Sequence, residues 1–303
     1  MAPSRERAAP VALVLTSVTS VQFGAALAAT LFPLVGPVAV VALRSIASAV
    51  ALAAVGRRGG AGGDGARSRP RPRDLRTPLA LGVVLAGMNT CVYEAVERLP
   101  LGVVITLEFL GPLAVALAHS RRRGDVLPAL AAAGGVALLA GPTSGGDVGL
   151  AGVLLALGGA VGWALYILLN RALGRQEGAG GLPGHHALTL ATAVAAVLVT
   201  PFAVLGAGRE MLQPRVLLVG IAVGALSSAL PYSLDRLALR RLPAGVFGVL
   251  MSVNPAVATL AGVLVLHQRP GPPQLAGTAL VVVASVAATR TPLQPAPVRS
   301  DIS

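Results

Sequence analysis

The sequence predicts an all-α membrane protein of ten transmembrane helices, arranged as two inverted five-helix repeats. Three observations predict it. The 303-residue chain is 54% hydrophobic with a mean hydropathy of +0.77, and 12% of its residues are charged, roughly half the share in soluble domains. Apolar stretches of roughly 17–22 residues, the length of a bilayer-crossing helix, recur along its whole length. A pair of landmarks also repeats at one offset. Leu99-Pro100-x-Gly102 returns 143 residues later as Leu242-Pro243-x-Gly245, and Gly111-Pro112 returns as Asn254-Pro255.

The first span is expected at 11–31. Arg5 and Arg7 precede it and Ala26-Leu27-Ala28 resembles a cleavage site, as in a secretory leader. The apolar run is long for a leader and further spans follow, so it reads as a transmembrane helix. The second span is 36–56. Residues 57–75, rich in Gly, Arg and Pro without periodicity, read as a flexible loop able to touch anionic lipid headgroups. Spans 77–97, 101–119 and 126–142 complete a first repeat, 1–146. The second repeat, 147–290, holds 149–170, 186–206, 215–234, 244–266 and 273–289. The polar, proline-containing tail 291–303 is expected to be disordered. Each fourth helix begins after Leu-Pro and is interrupted by a proline near mid-membrane. Five is odd, so the second copy enters the membrane from the opposite side. Inverted repeats with paired broken helices are the pattern of secondary transporters, with the site between the halves near midplane.

Arginines orient the spans. With the N-terminus in the cytoplasm, 19 arginines fall inside and only Arg98, Arg209, Arg215 and Arg269 fall outside, Arg44 lying within the second span. Both termini are then cytoplasmic. The net charge of +12 does not make a nucleic-acid binder, because the charges sit at helix ends rather than on one face. Cys91, the single cysteine, supplies no disulfide or metal framework. His119, His185, His186 and His267 fall at expected helix ends and do not converge on a metal; neither a metal nor a cofactor is expected. The motifs G-x-S-x-G, H-E-x-x-H, S-x-x-K and the P-loop do not occur, so the chain does not read as an intramembrane enzyme.

Glu108 is the first candidate site residue. It lies within an apolar run from Leu101 to Ala118, where an ionised acid costs on the order of 2.5–3.5 kcal/mol by insertion scales. Such an acid faces a packed interior or a wet cavity and marks an ion or solute route. In a low-dielectric cavity it can load and release a proton near neutral pH, which makes it the candidate proton carrier; the alternative is a structural hydrogen bond. Arg44 lies about 12 Å into the second helix at 1.5 Å per residue. It can bind a substrate carboxylate through its planar fork or neutralise Glu108 in an ion pair. The breaks at Gly111, Pro112 and Pro255 free backbone carbonyls, and Asn254 adds a polar side chain at the equivalent of Gly111. Gln22, Asn89, Tyr93, Trp163, Tyr166, Ser228 and Tyr232 are candidate walls of a binding site, or glue between helices. Glu94 and Glu97 are placed to screen Arg98.

These residues also carry a family resemblance. The chain resembles the EamA-type transporters of the drug/metabolite transporter superfamily, most of all their threonine/homoserine exporter branch. The matching stretches run over nearly the whole chain: Leu31-Phe32-Pro33-Leu34-Val35-Gly36, Ala42-Leu43-Arg44, Gly87-Met88-Asn89 with Tyr93, and Glu108-Phe109-Leu110-Gly111-Pro112-Leu113 in the first half. Trp163-Ala164-Leu165-Tyr166-Ile167, Ser227-Ser228-Ala229-Leu230-Pro231-Tyr232-Ser233-Leu234 and Leu250-Met251-Ser252 follow in the second. The resemblance implies a bacterial inner-membrane exporter of small amino acids or related metabolites, driven by the proton gradient. The chain departs from that branch at Asp235, Asn254 and Gln268, where the branch would carry glutamates. The cargo, the coupling ion and the oligomeric state stay open. The alternative on the same fold is a drug or organic-cation exporter, which an aromatic-lined acidic cavity would favour.

Overall fold

The computed structural model describes residues 3–59, 72–118, 126–140, 148–179, 181–239, 242 and 244–289, and every regular element among them is helical. The tail 291–303, His119 and the middle of the 57–75 loop lie outside the described residues. The first helices are α1 (Pro3–Ala29), α2 (Phe32–Gly59) and α3 (Pro72–Arg98). The broken pair α4 (Leu101–Glu108) and α5 (Leu110–Ala118) follows, then α6 (Val126–Ala140). The second half holds α7 (Val148–Gly178), α8 (Gly184–Ala207), α9 (Pro214–Gly224), α10 (Leu230–Leu239), α11 (Ala244–Met251), α12 (Asn254–Leu266) and α13 (Pro272–Thr289).

Seven helical stretches are long and apolar enough to cross a membrane: Ala9–Ala29, Phe32–Ala54, Asp74–Arg98, Leu101–Ala118, Gly149–Gly178, Gly184–Leu212 and Val249–Leu266. Three shorter apolar helices, Leu130–Leu139, Pro214–Ser228 and Pro272–Ala287, coincide with the expected fifth, eighth and tenth spans. α7 runs past the expected end at 170 because Arg171 to Glu177 are mostly good helix formers that hydropathy alone discounts.

Prolines set the irregularities. α2 kinks at Gly36 (φ 74°, ψ 161°), just before Pro37; proline disfavours the helical region for its predecessor, and glycine takes positive φ without a Cβ clash. The expected start of that span at 36 is therefore the kink, with one turn of helix before it. α4 and α5 part at Phe109, because Pro112 cannot donate to the carbonyl of Glu108 and its ring crowds it. α11 and α12 part at Ser252 and Val253 ahead of Pro255 for the same reason. A π-helical segment, Ala225–Ala229, joins α9 to α10; Pro231 withholds the bond that Ser227 would otherwise accept, and the wider turn absorbs it.

α4 and α11 begin and end 143 residues apart. The contacts follow the same exchange of halves. α3 packs on α7 as α10 packs on α1, and α4 and α5 lie on α7 as α11 and α12 lie on α1; α4 also meets α12, a contact that α11 and α5 do not repeat to the same extent. α6 meets α13 through Gly135 and Gly277, where a Cβ on either would come 2.9 Å from the other's carbonyl oxygen. Leu139 lies against Gly277 and Val281 against Gly135. Gly135 to Gly277 and Leu139 to Val281 are both steps of 142 residues, so this contact maps onto itself when the halves are swapped, as an isologous contact does.

The main core is built from α2, α3, α4, α7 and α8, with Leu31, Val40, Leu81, Leu101, Val104 and Leu107 fully buried. Large apolar side chains such as Leu205, Leu127, Val197 and Phe202 stand on the outside, as a surface facing lipid requires.

Candidate functional site

The last residue of α4 is Glu108, and it is buried, with 8% of its surface exposed. The break puts the carboxyl at the end of a helix whose eight residues are all buried. α7 closes over it. A Cβ on Gly159 would meet Val92 Cγ2 at 2.6 Å and Glu108 Cγ at 3.7 Å, so this glycine is where α3, α4 and α7 converge. Next to the acid, Phe109 meets Trp163 edge to face at 5.5 Å. Gly111 sits directly on the α7 backbone at Ala160 and Ala164.

The second group holds Arg44. Its Nη1 donates to Asn89 Oδ1 at 2.9 Å and to the Tyr93 hydroxyl at 3.2 Å, and its Cζ lies 5.6 Å from the Tyr93 ring centre. Asn89 Nδ2 donates in turn to the carbonyl of Leu85, and Phe32 packs on Tyr93 at 5.7 Å. Three expected site residues thus converge, and two of them fix the guanidinium's orientation.

The third group lies at the break of the second half. Gln22 Nε2 donates to Asn254 Oδ1 at 2.8 Å, and Asn254 Nδ2 donates to the carbonyl of Met251 at 2.8 Å. Pro255 cannot serve that carbonyl, so the asparagine side chain replaces the missing backbone donor. Gln22 Oε1 is buried without a partner. Ser48 donates to Ser228 at 2.7 Å, and Ser20 bonds the carbonyl of Leu226 in the π segment.

The remaining expectations divide. Trp163 and Tyr166 share a face by spacing, but the ring that Trp163 meets is Phe109. The side chain of Tyr232 lies outside the described residues. Arg98 bonds Glu94 at 2.7 Å and approaches Glu97 at 3.6 Å, the screening expected there. The structure adds Phe109, Ser48 and Ser20. Ser48 follows Arg44 by four residues, and that helical spacing was the signal for it. Among the described residues, clefts open on the surface. One is lined by Pro100, Gly102, Thr259, Gln268 and Thr278. Another, of about 330 Å³, is lined by Gly36, Pro37, Phe202 and Glu210. Glu108 lines neither of them and is buried in this conformation. In the first cleft Gln268 Oε1 accepts from the N–H of Leu101 at 3.0 Å and so caps α4.

Residues 150–290 match the EamA-like transporter family. The threonine/homoserine exporter RhtA of Escherichia coli (strain K12) is 38% identical over 285 residues, which cover 93% of this chain and 92% of that protein. The chain belongs to the EamA-like transporter family. The threonine/homoserine exporter RhtA of Salmonella typhimurium (strain LT2) is 36% identical over the same shares of the two chains. A solved crystal structure superposes on this EamA-family chain with a TM-score of 0.58 at 22% identity, covering 92% of it and 96% of the other; that likeness concerns the fold alone. The relatives are named exporters rather than enzymes, which bears out the reading of the chain as a non-enzyme. Family membership and the long apolar helices make it a multi-pass membrane protein.

Proposed function

We propose that this chain exports small amino acids of the threonine/homoserine type across the bacterial inner membrane by proton antiport. The observation that carries the cargo class is full-length similarity to named threonine/homoserine exporters. In this reading the bilayer is crossed ten times, with both termini in the cytoplasm, and the halves are inverted repeats. The exchange of contacts between the halves and the arginine asymmetry support it.

Glu108 carries the proton. Ionised, it attracts the ammonium group of the cargo; protonated, it does not. One carboxyl that holds either the proton or the amine, never both, is what antiport requires. Arg44, oriented by Asn89 and Tyr93, binds the cargo's carboxylate as a planar fork. Gln22, Asn254 and Ser228 hold the opposite wall, and the buried acid gains water when the halves rock apart about the breaks at Gly111, Pro112 and Pro255.

The edge-to-face pair Phe109–Trp163 beside Glu108 favours one second reading, an organic-cation exporter. Everted membrane vesicles with labelled threonine, labelled homoserine and a quaternary ammonium dye separate the two. Respiration-driven uptake of an amino acid, abolished by a protonophore, is the expected outcome. Uptake of the dye with neither amino acid moving would move the assignment to the second reading.

A further inference from the structure

We propose that Asp235 is a second proton-binding acid of the transport cycle, the second half's counterpart of Glu108 supplied from a different helix. The inference rests on the reading of Glu108 as a proton carrier and extends it to the other half.

The argument is one of register. A step of 143 residues carries α4 onto α11, and therefore Glu108 onto Met251 and Gly111 onto Asn254. The same step carries Val92 onto Asp235. The register between α7 and α1 comes from a contact. Gly111 lies against both Ala160 and Ala164, and its counterpart Asn254 bonds Gln22; pairing Ala164 with Gln22 gives a step of 142, the one that matches the offset of 143 between α4 and α11. That step carries Gly159 onto Ser17. Gly159 is the residue against which Val92 and Glu108 both lie. Ser17 is buried, and its hydroxyl lies close enough to the Asp235 carboxyl to act on it. By this register the niche of the first half has a counterpart in the second. In the first half it is built from Val92, Glu108 and Gly159; in the second from Asp235, Met251 and Ser17. Each niche holds one carboxyl. In the first half the fourth helix supplies it, and in the second half the third helix does.

Among the described residues Asp235 has no ion-pair partner; the side chains of Arg236, Arg240 and Arg241 lie outside them. The elements packed on α10 are α1, the π segment and α11, and none of their described side chains is titratable or charged. One carboxyl oxygen of Asp235 is buried without a hydrogen-bond partner. Asp235 is half-buried just past the expected end of the eighth span at 234, in a helix that continues to Leu239, and an acid with an unpartnered buried oxygen at the edge of a span is a candidate functional position. In the cycle a proton joins this carboxylate when the niche opens to one side and leaves it to water when the niche opens to the other, as at Glu108.

The test uses the full-length protein in liposomes, with voltage held at zero by potassium and valinomycin and labelled threonine as probe. At zero voltage each proton exchanged supports about a tenfold gradient of a neutral solute per pH unit, because the two chemical potentials balance. With two acids a difference of one pH unit holds about a 100-fold threonine gradient. Asp235→Asn keeps the size of the side chain but binds no proton. It is expected to hold about a tenfold gradient with threonine counterflow unchanged, and Asp235→Glu to restore the wild-type value. A wild-type gradient in Asp235→Asn overturns the proposal, as does loss of counterflow in both variants, which would mark a structural acid. Glu108→Gln, run in parallel, keeps the two assignments apart. A fall there but not in Asp235→Asn sinks this inference and leaves Glu108 standing; the converse does the reverse. Infrared titration of the reconstituted protein needs no cargo. Asp235→Asn should remove one component of the protonated-carboxyl band, and an unchanged band contradicts the assignment.

Discussion

Replacing Asn254 by leucine removes the hinge of the second-half break without changing side-chain size much. Asn254 and Gln22 are each 3% exposed. Two hydrogen bonds of 2.8 Å disappear, one from Gln22 and one to the carbonyl of Met251. Gln22 Oε1 already has no partner, so its whole amide becomes unsatisfied. The Met251 carbonyl, denied a donor by Pro255, is stranded as well. An unsatisfied buried group costs about 1–3 kcal/mol, but hydrogen bonds between membrane helices average nearer 0.6 kcal/mol by about the same accounting, because the unfolded chain finds partners too. Two losses between those bounds place Asn254→Leu at about 2 kcal/mol. Gln22→Leu in the same background should then cost little, because its partner is gone, giving a coupling of about 1 kcal/mol in the double-mutant cycle. Reversible unfolding of the four proteins in mixed detergent micelles reads the cycle. Strict additivity of the two single costs would refute the view that this amide pair is a buried unit.

Three further outcomes are expected. Arg44→Lys should raise the apparent KM for threonine several-fold with little change in maximal rate, because an ammonium cannot bond Asn89, Tyr93 and a carboxylate with one planar fork; an unchanged KM in vesicles would make Arg44 a structural arginine. Gly111→Ala should cost about 1–3 kcal/mol in the same unfolding assay, since its methyl would run into the backbone of Ala160 rather than a side chain able to rotate away; wild-type stability would contradict the close approach of α5 to α7. Gly135→Val should destabilise by a similar amount, about 1–3 kcal/mol, by prising α6 from α13, and a neutral effect would remove that contact from the fold.

Much of the fold was legible because lipid imposes coarse rules. Apolar runs placed the helices, and Leu99-Pro100, Gly111-Pro112 and Asn254-Pro255 located the fourth helix of each half and its break. The break falls one turn ahead of each proline, because the lost bond belongs to the carbonyl four residues back. The kink at Gly36 and the π segment before Pro231 were not foreseen; their prolines sit in otherwise continuous apolar runs that hydropathy does not resolve. At the site, intramembrane polarity picked out Glu108, Arg44, Asn89, Tyr93, Gln22 and Asn254. It did not give their pairings. Arg44 bonds Asn89 and Tyr93, and Gln22 meets Asn254 across 232 residues of sequence. Phe109 and Ser48 were missed because an aromatic or a serine in a span is unremarkable until a partner is known. Glycine contacts such as Gly159 at the acid are likewise invisible to periodicity, since they depend on how closely two backbones approach.

Whether Glu108 carries the transported proton is read most directly by comparing wild type and Glu108→Gln in liposomes, in labelled-threonine counterflow and in uptake driven by an imposed pH difference. The amide keeps the size and hydrogen-bonding shape of the acid but binds no proton. The variant is expected to lose at least half of the proton-driven accumulation on a logarithmic scale, with a slower counterflow at equal pH, because the cargo's ammonium has lost its carboxylate, and a counterflow rate that varies less with pH than the wild type's. Full accumulation by Glu108→Gln, at the wild-type rate and with the wild-type pH dependence, would contradict the assignment.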